Sequence, residues 1–123
     1  MFIGLTAPLA ATRMLLISDI HGNYPALTAI ARELNVTAFH YIVNCGDCLV
    51  YAPFPNETLR WLSSNNVISI LGNTDKKVID LLNNRPFAKP RKPEKRIMYS
   101  STADVLDKAG QRTLLALPEA ETL

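Results

Sequence analysis

The chain has 123 residues, is 48% hydrophobic and carries a formal net charge of +2. That length allows one domain with a sizeable core, the apolar fraction excludes a disordered chain, and the small net charge gives no general argument for a polyanionic partner. No apolar stretch reaches the roughly 20 residues that span a bilayer, and Met1–Ala10 lacks the basic start of a signal peptide, so a soluble, cytoplasmic protein is expected.

Residues 1–13 are expected to form a loosely ordered extension, because the first strand-like run begins at Met14. Met14–Ser18, Tyr41–Asn44 and Val67–Leu71 are nearly continuous apolar runs, which predicts parallel strands covered on both faces. Helical spacing separates them. Asn23 is a plausible cap and Pro25 suits a first turn, and Leu27, Ile30, Ala31 and Leu34 then form one apolar stripe. A second helix is expected from about Asn56 to Ser63, with Leu59 and Leu62 inward, and a third over Val78, Leu81 and Leu82.

The segment 84–98 reads as a basic linker: Arg85, Lys89, Arg91, Lys92, Lys95 and Arg96 stand against Glu94 alone, and Pro86, Pro90 and Pro93 interrupt it. Only Phe87 accompanies those charges, too little aromatic interleaving to favour nucleic-acid binding. A last helix is expected over Thr102–Leu117, with Gly110 as a break and Pro118 as its stop. The Cys45-x-x-Cys48 pair has no second pair to complete a structural zinc site, and its Gly46-Asp47 centre fits a strand end turning into a loop better than a redox motif.

The resulting βαβαβ order, with right-handed crossovers, puts three strand ends side by side at one edge of a sheet. Each end carries polar chemistry. Asp19 and His21 follow the first strand, Asp47 the second, and Asn73, Thr74 and Asp75 the third. Loops beyond the carboxyl ends of parallel strands are where open α/β sheets present ligands. A carboxylate and an imidazole one residue apart suit manganese, iron or zinc; Asp47 has two oxygens with which to bridge two cations, and Asn73 adds an amide oxygen. Gly46 and Gly72 permit the tight turns that aim these groups. Singly, each residue is equally good cap or turn chemistry; their shared position at successive strand ends favours a cation site.

Asp19-Ile20-His21, Gly46-Asp47 and Gly72-Asn73-Thr74-Asp75 resemble the first three signature blocks of the calcineurin-like metallophosphoesterases. Asp19–Leu27 and Gly46–Glu57 are similar to a small bacterial branch with Tyr-Gly-Pro-x-Pro after Gly-Asp, where Ala52 replaces the glycine here. The likeness covers most of 14–82 and, more weakly, Leu114–Glu119. It implies an α/β fold, the βαβαβ parallel-sheet half of an α/β/β/α sandwich, in a domain spanning 14–123 that lacks the second sheet.

The resemblance further implies that Asp19 and His21 hold a first metal, Asp47 bridges to a second, and Asn73 holds the second. Asp47, Asn73, Thr74 and Asp75 would form the catalytic set, and the metals would be divalent, Mn2+ foremost, with Fe, Zn or Ni as alternatives. The reaction would be hydrolysis of phosphomonoesters or phosphodiesters by a water activated between two metals.

Two departures stand out. Thr74 occupies a place where many relatives have a histidine that contacts phosphate, and threonine is no acid near neutral pH. The family's later blocks, a lone histidine and Gly-His-x-His, have no counterpart, since the only histidines are His21 and His40 and His40 precedes the second strand. The expectation is therefore the amino-terminal half of a phosphoesterase. The alternative is a non-catalytic remnant or interaction module with weak single-metal binding. The expected partners are a phosphate-ester substrate and a second copy or complementing chain on the uncovered apolar face, with neither nucleic acid nor membrane.

Overall fold

The computed structural model describes residues 1–6, 12–86 and 90–123. Four strands form one sheet in the order β1 (Phe2–Thr6), β2 (Met14–Ser18), β3 (Tyr41–Asn44), β4 (Ile68–Ser69). β2, β3 and β4 run parallel, with Leu15 opposite Ile42 and Asn44 opposite Ser69. Helices α1 (Tyr24–Leu34) and α2 (Pro55–Ser64) make the crossovers, and α3 (Asn73–Leu82), α4 (Pro93–Val105) and α5 (Lys108–Leu115) follow β4. No helix among the described residues is long and apolar enough to cross a membrane.

α1 starts where expected: the Asn23 side chain accepts from Ala26 N at 3.2 Å, and Pro25 lies in the first turn, where a missing N–H costs nothing. One core joins all layers. Leu15, Ile17 and Ile42 from the sheet meet Leu27, Leu59, Leu62, Val78, Tyr99 and Leu114 from the five helices, together with Ile20, Cys48, Leu49 and Val50 from the loops. Those three buried loop residues after Asp47 anchor the second site loop from beneath.

Several expectations need correction. Residues 2–6 are not a loose extension; they form β1, paired antiparallel to β2 from Phe2 opposite Ser18 to Thr6 opposite Met14. Coverage of the sheet is one-sided. Leu15 and Ile17 are buried while Met14, Leu16 and Ser18 are only half-buried, and β3 alternates the same way. The continuous apolar runs thus sit on a sheet whose described helices protect one face fully.

The third apolar run contributes only two ladder residues, although Ile70 N still donates to Asn44 O at 3.1 Å and Leu71 N to Pro118 O at 2.8 Å. The basic linker is shorter than expected, because α4 begins at Pro93, where proline fits the first helical position. Lys89 and Phe87 of that segment lie outside the described residues. The last helix is two helices, and the break falls at Leu106–Asp107 rather than Gly110. Asp107 caps α5 by accepting from Gly110 N at 2.6 Å, so the glycine sits inside the first turn.

Candidate metal centre

The loops after β2 and β3 are zipped together by backbone hydrogen bonds: Asp19 N to Gly46 O, His21 N to Asp47 O and Gly22 N to Cys48 O, at 3.1, 3.0 and 2.7 Å. The backbone must twist sharply to do this. Asp19, His21, Asp47 and Val50 adopt left-handed φ of 57°, 52°, 56° and 57°. The other non-glycine residues with positive φ among those described are Asn35, Asn66 and Asn84, each just past a helix, where asparagine is at ease. Left-handed backbone away from helix ends is therefore confined to the site loops, the usual place for stored strain.

This twist brings one ligand atom each from Asp19, His21 and Asp47 within 4.8 Å of one another. All three residues are half-buried, open to solvent on one side. Every ligand is held by one atom and offers another. Ser18 Oγ donates to Asp19 Oδ2 at 2.6 Å, which leaves Asp19 Oδ1 facing His21 Nε2 at 3.6 Å. His21 Nδ1 lies 3.3 Å from the Leu49 carbonyl oxygen; an Nδ1–H donating to it is the tautomer that turns Nε2 towards the cluster as the ligating nitrogen.

Asn73, the first residue of α3, joins them. Its nearer amide atom lies 3.2 Å from Asp47 Oδ1 and 3.1 Å from Oδ2. An amide nitrogen there donates to both oxygens, whereas an amide oxygen there demands a cation between the groups. Two carboxylates, an imidazole nitrogen and an amide make a mixed oxygen–nitrogen donor set that fits a divalent first-row metal.

Thr74 and Asp75 are buried, at 3% and 0% exposure, and work behind the ligands. Thr74 N donates to Asp47 Oδ1 at 3.0 Å, and Thr74 Oγ1 lies 3.0 Å from the same oxygen and 3.1 Å from Leu49 O. Asp47 is thus gripped at the amino end of α3, where the helix dipole favours a negative charge. Asp75 accepts from Gly72 N at 2.9 Å, Leu49 N at 3.0 Å and Cys48 N at 3.3 Å, tying the second and third site loops together. Burial raises its pKa above the ordinary 3.8, against the lowering effect of those donors. Gly72 has a strict steric role: a Cβ there would collide with Asp47 N and Oδ1.

The two cysteines are separate and free, Cys45 exposed and Cys48 buried with its thiol 3.4 Å from Asp75 Oδ1. Burial first, then the charge of Asp75, pushes the Cys48 thiol well above its usual range. His40 is remote from the cluster, accepting from Arg13 N at the start of β3. An aromatic wall flanks the cluster. The Tyr51 ring lies 5.1 Å from His21 and 6.1 Å from Tyr99, centroid to centroid. Tyr51 stood in the Tyr-x-Pro-x-Pro run as a motif letter; Tyr99, on α4, carried no local signal.

The mostly parallel sheet, with candidate donors from successive strand-end loops at its carboxyl edge, places the chain among α/β proteins that present ligands there. The chain belongs to the calcineurin-like phosphoesterase family, whose model matches residues 12–118. It is 36% identical over 59 residues to an uncharacterized protein of Methanocaldococcus jannaschii, MJ0912, a stretch covering 48% of this chain and 24% of that one. The crystal structure of a metallophosphoesterase from Sphaerobacter thermophilus superposes with a TM-score of 0.66 and 29% identity, covering 87% of this chain and 42% of that chain. The chain therefore spans less than half the length of either relative.

Proposed function

We propose that the cluster binds divalent metal, Mn2+ foremost, and serves the hydrolysis of a phosphomonoester or phosphodiester. The observation that carries this reading is the approach of Asp19, His21 and Asp47 ligand atoms within 4.8 Å, each backed by its own hydrogen bond. In this reading Asp19 and His21 would hold a first ion, and Asp47 and Asn73 would supply oxygens for a second. Bound metal supplies Lewis acidity towards a phosphoryl oxygen and acidifies water.

The chain's own residues do the positioning. Ser18 and Leu49 O orient Asp19 and His21, Thr74 N holds Asp47 Oδ1, and Asp75 locks the loops from behind. Thr74 is spent on this grip, so it serves as a positioning residue and donates no proton to a leaving group. A phosphate-ester substrate reaches the cluster from its solvent side.

Purified protein with Mn2+ should hydrolyse bis-p-nitrophenyl phosphate, and Asp47→Asn should abolish turnover while leaving the circular dichroism spectrum unchanged. Absence of turnover in folded wild type would overturn the catalytic reading. A second reading is favoured by the small donor set, in which His21 is the only imidazole: a module that binds one metal weakly and pairs with another copy or a complementing chain through the half-covered sheet face. Mn2+ binding at one equivalent without turnover would select it.

A further inference from the structure

The aromatic wall ends in cations. Lys95, from the first turns of α4, places Nζ 5.3 Å from the Tyr51 ring centroid, and Lys77 of α3 places Nζ 5.4 Å from that of Tyr99. Tyr51 therefore touches both the His21 imidazole, tilted at 45° to it, and an exposed ammonium. No ion pair among the described residues engages Lys95. The neighbouring Arg96, by contrast, is committed to Pro90 O at 2.7 Å.

A flexible lysine above a ring face is drawn there by the ring quadrupole and gives up part of its rotamer freedom before any ligand arrives. Its position one ring away from a metal-binding histidine suits a charge adjoining the phosphate that sits at the cluster. The ammonium already lies over Tyr51, which disfavours stacking of a flat group there and favours an anion.

From this we infer that Lys95, seated on Tyr51, is a specificity-determining residue that receives a second phosphoryl group, so that the preferred substrates carry two linked phosphates rather than one. The inference rests on the metal-site reading above. Lys77 adds positive potential to the same wall through Tyr99, whose ring meets that of Tyr51 edge to face.

The test is calorimetric titration of the Mn2+-loaded full chain with methylenediphosphonate, a non-hydrolysable diphosphate, and with orthophosphate, beside paramagnetic-resonance titration of Mn2+ itself. Wild type should bind the diphosphonate more tightly than orthophosphate. Lys95→Met should weaken the diphosphonate about tenfold, the scale of one charge-assisted hydrogen bond, and change orthophosphate less than about twofold. Simple chelation of the ion is insensitive to Lys95, so equal diphosphonate affinity in wild type and Lys95→Met, with Asp47-dependent Mn2+ binding intact, overturns this inference alone. Mn2+ binding that is absent, or unchanged in Asp47→Asn, overturns the metal-site reading and this inference with it.

Discussion

Asp47 shows how much a single side chain is asked to do. It sits on left-handed backbone, receives the Thr74 amide, faces Asn73 and passes so close to Gly72 that no other residue type fits opposite it. Gly72 itself has an extended backbone at φ −94°, so the constraint is contact, not conformation. Gly72→Ala should therefore displace Asp47, lowering Mn2+ affinity by at least about tenfold and folding stability by about 1–3 kcal/mol, the usual cost of overpacking. Mn2+ titration and urea unfolding measure the two effects, and an alanine variant that binds like wild type would contradict the account. At this scale the residue types were legible in the sequence, because carboxylate, imidazole and amide chemistry is local. Their anchors were not: Ser18 adjoins Asp19, but Leu49 O reaches His21 from 28 residues away.

Among the elements, the corner between α4 and α5 is pinned to α2 chiefly by Asn56, with Arg60 adding an exposed ion pair to Asp107 at 3.7 Å. Asn56 Nδ2 donates to Val105 O at 2.8 Å, and Asn56 Oδ1 accepts from Asp107 N at 2.9 Å. A Cβ on Gly110 would come within 2.8 Å of that same Oδ1. Replacing a helical glycine by alanine ordinarily stabilises by roughly 1 kcal/mol. Here Gly110→Ala should instead destabilise, and should turn stabilising in an Asn56→Ala background. A double-mutant cycle by urea denaturation measures that reversal, and additive effects would refute the contact. The same corner explains why the break expected at Gly110 falls at Leu106–Asp107 instead: glycine is the local signal, and only a partner on α2 rewards the extended backbone at Leu106. Likewise Pro93 reads equally well as a linker residue or a first helical residue, and the packing of Tyr99 into the core selects the helix.

For the whole molecule, metal and fold should be linked, because the cluster ties together loops from three successive strands. With free Mn2+ about 100-fold above its Kd, unfolding monitored through Trp61 should require about 2.7 kcal/mol more than in EDTA, and Asp47→Asn should erase the difference. An unchanged midpoint on metal removal would separate the cluster from stability. The sequence already dictated the parallel order of β2, β3 and β4, the crossover helices and the polar residues at each strand end, since periodicity, caps and motif spacing are properties of short segments. Tertiary structure alone decided that residues 2–6 join the sheet, that one sheet face stays half-covered, and that Tyr51 stands beside His21 with Tyr99 and Lys95 against it. The reason is physical: strand pairing and side-chain juxtaposition depend on what else competes for the same surface, and no local pattern in a chain records the outcome of that competition.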